Sequence, residues 1–414
     1  MNIAYFSHYF TPEIGAPSAR IYDLAQQWLK SGHQVQVATC FPNHPTGRLY
    51  PGYQHQLYLQ ESLDGIDVHR HWTYVTPNTG IARKSLGHFS FLPSAALLTW
   101  RHLSSADVAI GTSPTFFAAV AAARFARRRK IPFIMEVRDL WPALFTELGV
   151  IKNRHVIRLL ERWEMSLYRR ATKVVVVTEA FRKNLISRGV PAEKVFTIPN
   201  GADVDFWSPQ ERINETRKQL GLENHFVVLY IGAHGISQGL ESVLKSAHQL
   251  RDNQDIKFVF VGEGARKNEM VRQARQLELH NVRFLDSVDK DAVKGFYAMA
   301  DVCLVPLRKI PIFDGFIPSK MFEIMAMARP IVASLSGEAA EILQKSGGAK
   351  VVEPENSGAL SEAIRSLYHD RDETMQMGKR GRDFVVRNYS REALAATYIS
   401  VLNEAKADYC GNKK

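Results

Sequence analysis

Ile3-Ala-Tyr-Phe-Ser7 and Val35-Gln-Val-Ala-Thr39, separated by one helical span, decide the fold class of this chain. Both runs are short, apolar and rich in strand-forming residues. Between them Tyr9–Ser18 reads as a loop. Ile21, Leu24, Ala25, Trp28 and Leu29 then recur at helical spacing through Ala19–Ser31, and Gly32 is a stop. Strand, helix, strand is a βαβ unit, whose crossover is right-handed. Further strands are expected at Val68–His71, Val108–Gly111, Phe133–Val137 and Lys173–Val177, with helices between several of them. Such alternation predicts an α/β fold with a mostly parallel sheet covered on both faces.

Pro199-Asn-Gly-Ala-Asp-Val-Asp-Phe-Trp-Ser-Pro209 interrupts the alternation, which then restarts with strands expected at Val227–Ile231, Lys257–Val261, Val282–Leu285, Val302–Val305, Ile331–Ala333 and Lys350–Val352. The reading is two doubly wound, Rossmann-like domains facing each other across a cleft, with ligand at the carboxyl ends of the strands. The expected limits are 1–200 for the first domain, 201–209 for a linker and 210–390 for the second domain. A last helix in 391–414 is expected to pack back towards the first domain.

A length of 414 residues with 45% hydrophobic content supports two cores, and a formal charge of +11 favours anionic partners. Cys40, Cys303 and Cys410 form no CxxC pair, which excludes zinc-ribbon and dithiol readings and suits a reducing compartment. No metal is expected; His69 and His71 share a strand face but lack a third ligand. There is no signal-like start, and Arg124 interrupts the best apolar run, Phe116–Phe125. Nucleic acid is disfavoured, because no aromatic–basic ladder or recognition-helix motif is present. The basic run Ala126–Lys130 suits a helix end; with Arg83-Lys84 and the apolar Phe89–Trp100 stretch it equally suits an anionic membrane surface.

Ile317-Pro-Ser-Lys-Met-Phe-Glu-Ile-Met-Ala-Met-Ala-Arg-Pro-Ile-Val-Ala-Ser334 reads as loop, short helix, turn and strand. Pro318 suits a first-turn position, and Lys320 and Glu323 lie on one helix face. A cation one turn from a carboxylate can meet the diphosphate and the ribose diol of one nucleotide; a solvated surface pair has the same spacing.

With these pieces in order, almost the whole chain resembles the retaining glycosyltransferases of family four, of GT-B fold. It is most similar to the bacterial enzymes that extend surface polysaccharides (O-antigen, capsule, exopolysaccharide), including the L-fucosamine transferase subgroup. The resemblance rests on Thr11–Arg20, Phe41–Gly47, Glu136–Pro142, Gly232–Glu241, Val261–Gly264 and Pro318–Ser334. It implies a nucleotide-sugar donor in the C-terminal domain, with UDP and an N-acetyl amino sugar as first expectation. It also implies an acceptor in the N-terminal domain, a polyprenyl-diphosphate-linked saccharide, at the cytoplasmic face of the inner membrane. Retained anomeric configuration and no cofactor beyond the nucleotide-sugar co-substrate follow from the same resemblance. An epimerase or hydrolase of the same fold, or an inactive nucleotide-binding scaffold, are the alternatives.

Residue by residue, Glu323 matches the ribose-binding second glutamate of the family's paired motif, while Gly315 stands where the first belongs, with Asp314 adjacent. Backbone N–H groups of Phe316 and Ile317, and Ser319 before the helix, are expected phosphate neighbours of Lys320. In the loop after the first strand of the second domain, His234 lies near the family's arginine and Gln238 holds its lysine place, so Lys320 bears more of the charge; Arg266 and Lys267 after Gly264 are either helpers or a solvated helix start, the latter slightly preferred. In the first domain, Gly15 either permits close substrate approach or serves a tight turn before the helix, and Arg20 either meets an acceptor phosphate or is ordinary surface. Asp139 is expected to orient or deprotonate the acceptor hydroxyl, or else to cap a helix from Leu140. Glu136 and Arg138 share a strand face beside it, as substrate contacts or as a structural pair; His8 and His44 are further candidates.

Overall fold

The computed structural model describes residues 1–411 except 14, 45, 77–80, 104, 114, 144–145, 147–150 and 152; at 16, 81–85, 96, 98 and 100 it describes backbone alone. Ile14 and Pro45 in the motif blocks, and the side chains of Arg83 and Lys84, therefore lie outside the described residues. The chain divides into two compact units, Met1–Pro199 with Arg391–Lys414, and Asn200–Ser390.

In the first unit the strands are β1 Asn2–Phe6, β2 Gln34–Cys40, β3 Tyr58–Leu63, β4 Ile66–His71, β5 Val108–Thr112, β6 Phe133–Val137, β7 Lys173–Val176 and β8 Val195–Thr197. They form one sheet in the order β3-β4-β2-β1-β5-β6-β7-β8. Neighbours are parallel except the β3–β4 hairpin. That hairpin and β8 were not anticipated. The exposed positions of β3 leave only a weak apolar signal, and β8 is three residues long. The helices are α1 Ala16–Lys30, α2 Ile81–His102, α3 Phe116–Arg129, α4 Arg154–Arg170 and α5 Glu179–Ser187. Helix α1 and the C-terminal helix Arg391–Gly411 pack together, with Trp28 Nε1 donating to the Ala395 carbonyl at 3.2 Å. Helix α3 packs against α2 and α4 and lies over β5. Because β2 and β5 flank β1, strand order reverses between β1 and β5, and the loops after these two strands leave the sheet there towards opposite faces.

In the second unit the strands are β9 Phe226–Ile231, β10 Ile256–Val261, β11 Val282–Leu285, β12 Val302–Pro306, β13 Ile331–Ser334 and β14 Ala349–Val352, all parallel, in the order β11-β10-β9-β12-β13-β14. The helices are α6 Glu215–Gln219, α7 Glu241–Gln249, α8 Lys267–Gln276, α9 Lys290–Met299, α10 Lys320–Ala326, α11 Gly337–Ser346, α12 Ser357–His369 and α13 Arg371–Asn388. Two apolar clusters cover the sheet's two faces. The expected linker is not a free connection. Ala202 and Trp207 are buried in one of these clusters, and Ala202 bridges Ser390, so the segment folds with the second unit. Strand order reverses between β9 and β12, and there the loops following them are joined by the Arg308 N–H bonded to the Ser237 carbonyl at 2.9 Å.

Candidate functional site

The reversal point of the second unit carries a concentrated charge. Lys320, first residue of α10, reaches back across the carboxyl end of β9. Its ammonium donates to the Ile231 carbonyl at 2.8 Å and lies 4.3 Å from the centre of the Tyr230 ring. Burial brings its pKa down to about 8, against opposing pulls from Glu323 and Cys303. Gly232 sits directly beneath it: a Cβ there would lie 2.5 Å from the ammonium nitrogen, and φ is +139°. Glu323, one turn along α10, accepts from the Tyr297 hydroxyl at 3.2 Å, and burial raises its pKa. Lys320 and Glu323 are thus not a solvated surface pair.

The loops around them are locked backbone to backbone. His234 N–H donates to the Glu263 carbonyl at 2.8 Å, and Arg266 N–H to the His234 carbonyl at 2.9 Å. A Cβ at Gly262 would lie 2.1 Å from the Gly232 carbonyl, and one at Gly264 would lie 2.4 Å from that of His234. Glycine is therefore required at both positions, at φ +136° and +158°.

Several expected contacts are corrected here. The His234 ring is fully buried among Tyr230, Phe260 and Phe284, so its backbone and not its imidazole belongs to the site. Gln238 uses its side-chain oxygen to accept from Gly235 N–H at 3.1 Å, bracing its own loop. Arg266 pairs with Glu241 and Glu269, each at 2.6 Å, and Lys267 with Glu263 at 2.5 Å and Asp286 at 2.7 Å. Both are neutralised at the start of α8. Phe316 N–H closes a turn onto the Phe313 carbonyl at 3.0 Å. Ser319 precedes α10 in helical conformation without a side-chain cap, and Pro318 lies outside the helix. Asp314 and Gly315 end a 3₁₀ turn, Pro311–Gly315; exposed Asp314 accepts from the Ser336 hydroxyl, and Ile317 packs beside the core.

The reversal point of the first unit is built differently. Glu136, at 0% exposure in β6, accepts from Arg20 Nε at 3.1 Å, the Thr112 hydroxyl at 3.1 Å and the Tyr5 hydroxyl. Burial pushes the Glu136 carboxyl up, but Arg20 and Arg138 outweigh it and hold it below the usual carboxylate range. Arg20 also donates to the carbonyls of Ile198 and Pro199, at 3.1 and 3.0 Å. Arg138 donates to the Pro17 carbonyl at 3.0 Å. Glu136 and Arg20 are therefore a buried structural pair tying β6, α1 and the end of β8, not a substrate contact; the partner of Glu136 is Arg20 rather than Arg138. Gly15 caps α1 at φ +155°. Asp139 follows β6 half-buried, its pKa raised to about 6 by burial despite Arg138. No helix starts at Leu140, so Asp139 does not serve as its cap. His8 and His44 flank Tyr9, whose hydroxyl meets His88 Nε2 at 3.0 Å.

Residues 15–201 match the glycosyl transferase 4-like domain family, and residues 212–384 match the glycosyl transferases group 1 family. The chain is a glycosyltransferase by family. A protein of Escherichia coli (strain K12), whose provisional name is colanic acid biosynthesis glycosyl transferase WcaI, is 27% identical over 97% of this chain and 99% of its own. Among solved structures, sucrose-phosphate synthase from Thermosynechococcus elongatus superposes with a TM-score of 0.77 at 19% identity, covering 98% of this chain and 99% of that one. HepE of Anabaena, in complex with UDP-glucose, gives 0.71 at 17%, covering 98% and 100%. The fold of the transferase is GT-B.

Three residues that brace the candidate site escaped sequence reading. Tyr230 and Tyr297 look like any core aromatic, yet one supports Lys320 and the other orients Glu323. Glu13 accepts from the N–H groups of Asn43 and His44, at 2.7 and 2.8 Å, and so fixes the loop after β1 against the loop after β2. Burial raises its pKa to about 7, against those backbone bonds. A glutamate inside an otherwise uncharged loop was the available signal. Among the described residues no group of three or more His, Cys, Asp or Glu is arranged to hold a metal, and no helix is long and apolar enough to cross a membrane.

Proposed function

We propose that this glycosyltransferase is retaining and moves a sugar from a UDP-linked donor, with an N-acetyl amino sugar as first choice, to a lipid-linked saccharide in surface polysaccharide synthesis. The observation that carries the reading is the Lys320–Glu323 turn of α10. A leaving nucleoside diphosphate gains negative charge at its β-phosphate, and a preorganised, partly desolvated cation stabilises that charge. Lys320 is such a cation: ring and carbonyl hold it, yet no carboxylate pairs with it within ion-pair distance among the described residues. Glu323 accepts from the ribose diol, with Tyr297 holding its other bond. Asp139, ionised above pH 6, takes the proton of the acceptor hydroxyl. UDP is favoured by the HepE complex, and surface polysaccharide by the name of the E. coli relative.

The acceptor is proposed to be presented at the cytoplasmic membrane face. Helices α2 and α4 expose Leu86, Phe89 and Leu97, and Val156, Leu159 and Trp163, while Arg158, Arg162 and the basic end of α3 lie exposed beside them. Apolar side chains flanked by arginine suit an anionic bilayer surface.

The test is thermal stability in EDTA with UDP, GDP and ADP titrated separately, since a ligand that binds only the folded state raises its stability. A shift with UDP that Glu323→Ala abolishes is expected. No shift with any nucleotide would overturn the donor assignment.

A further inference from the structure

The amino-terminal edge of the second sheet, opposite the strand ends that carry Lys320, holds another charged hollow. Arg212, His225, Asp301, Arg329, Arg371 and Lys379 line it where β9, β12 and β13 begin. Asp301, 7% exposed, accepts from the Val227 N–H at 2.8 Å and pairs with Arg212, with Arg217 at 3.1 Å and with Arg371 at 3.5 Å. One carboxylate therefore faces three guanidinium groups. Arg217 is fully buried and also donates to the carbonyls of Leu222, Met299 and His225, so its role is structural.

The other cations are less satisfied. Arg329 donates to the Gln210 carbonyl at 2.8 Å, but its Nε is buried without a hydrogen-bond partner among the described residues, as is His225 Nδ1. The Arg371 guanidinium carbon lies 4.2 Å from the centre of the Phe226 ring and 4.8 Å from that of Tyr368. Lys379 lies exposed at the rim. Among the lining residues, four cations (Arg212, Arg329, Arg371, Lys379) less two carboxylates (Asp301 and the rim residue Glu223) leave a surplus of two positive charges.

Arg212 and Arg371 keep 44% and 45% of their side chains exposed, so an anion can reach the surplus positive charge. The Arg329 side of the hollow is fixed by its backbone. A Cβ at Gly378 would lie 2.2 Å from the Ala328 carbonyl, and Ala328 itself has φ +51°, so the turn that aims Arg329 cannot relax easily. Guanidinium forks in fixed positions match phosphate oxygens. We propose that this hollow binds a phosphate-bearing anion, at a site separate from that of Lys320 and Glu323. The anion is either a free phosphate or diphosphate, or the phosphate headgroup of a lipid.

Pyrophosphate titrated by calorimetry into full-length, nucleotide-free protein tests this. Binding should survive Lys320→Ala, weaken at least about tenfold in Arg371→Gln and weaken severalfold in Lys379→Gln. The rim variant keeps the test decisive if Arg371→Gln fails to fold. Co-sedimentation with phosphatidylcholine vesicles, with and without phosphatidate, separates the sources. Phosphatidate-dependent sedimentation that falls in both hollow variants, without pyrophosphate binding, assigns the hollow to a lipid phosphate. Pyrophosphate binding lost in those variants with sedimentation unchanged assigns it to a free anion. If Lys320→Ala abolishes pyrophosphate binding and the hollow variants change neither readout, or if neither ligand binds, the proposal falls.

Discussion

The two sheets of this chain place charged side chains at equivalent points, the reversal of strand order, and treat them in opposite ways. In the first unit Glu136 meets Arg20 directly, with Arg138 near by, and all three donate or accept inside the protein. In the second, Lys320 is held by a ring and a carbonyl and Glu323 by one tyrosine, without mutual neutralisation. The same residue types are architecture where the fold completes their charge. They are chemistry where the fold holds the charge and leaves its counterpart to a ligand.

The comparison breaks first at Glu136. Glu136→Ala leaves a buried guanidinium without its carboxylate, and removing one partner of a buried pair costs about 3–5 kcal/mol. A fall of that size in urea unfolding of the first unit is expected; a change below about 1 kcal/mol would mean that the pair is not structural. Lys320→Met should do the reverse. It replaces a partly desolvated ammonium by an apolar chain of similar reach, so the melting temperature of the ligand-free protein should hold or rise. The transfer rate should drop about 10²–10³-fold, the range for losing one preorganised donor to a developing charge. Unchanged turnover would remove Lys320 from the chemistry.

Gly232→Ala sharpens the same point without deleting a charge. Its Cβ would stand 2.5 Å from the Lys320 nitrogen, at the far end of a flexible chain that can swing away. Backbone strain at φ +139° costs about 1–3 kcal/mol. The expected signature is weakened nucleotide binding beyond what the lost stability explains, read by calorimetry on the folded variant. Asp139 gives a milder effect. With its pKa near 6, a base is ionised above that value and lost below it, so the rate should fall about fivefold from pH 6 to pH 5 and approach tenfold per unit below that. Asp139→Asn should be slow and lack that limb; a wild-type profile in the variant would exclude Asp139 as the base.

Much of this was legible in the chain. Phe133–Val137, buried at every position, and Val282–Leu285, an edge strand with Arg283 exposed, both match their expected strands end for end, because β-branched and aromatic residues mark a strand even where burial is partial. The Lys320–Glu323 spacing pointed to one helix face, and the structure has them on α10. What was not legible depended on contacts distant in sequence. Arg20 and Glu136 are 116 positions apart, so their pairing leaves no local pattern, and neighbouring Arg138 looked like the natural partner. Arg266 and Lys267 read as spare cations until Glu241, Glu269, Glu263 and Asp286 are seen around them. The segment 201–209 has the Pro and Gly of a linker, but Trp207 needs a core and finds one.

The smallest effect bears most directly on the difference between the two regions. Arg20 cannot lose its proton in any accessible range, because Glu136 raises its pKa further against the opposing effect of burial. Lys320, brought down to about 8, can. A diphosphate binds the ammonium, so below pH 8 the free site is already in its binding form and affinity should be level. Above pH 8 a proton must be taken up on binding, and the dissociation constant should rise towards tenfold per pH unit. Calorimetry with UDP at pH 7 and pH 9, in buffers of different ionisation enthalpy, reads both the loss of affinity and the proton uptake. Lys320→Arg should flatten the dependence at both pH values, because a guanidinium stays charged throughout. Equal affinity and no uptake in the wild type would mean that the ammonium of Lys320 is already completed by the fold, like Arg20, and that the contrast between the two sheets is one of position only.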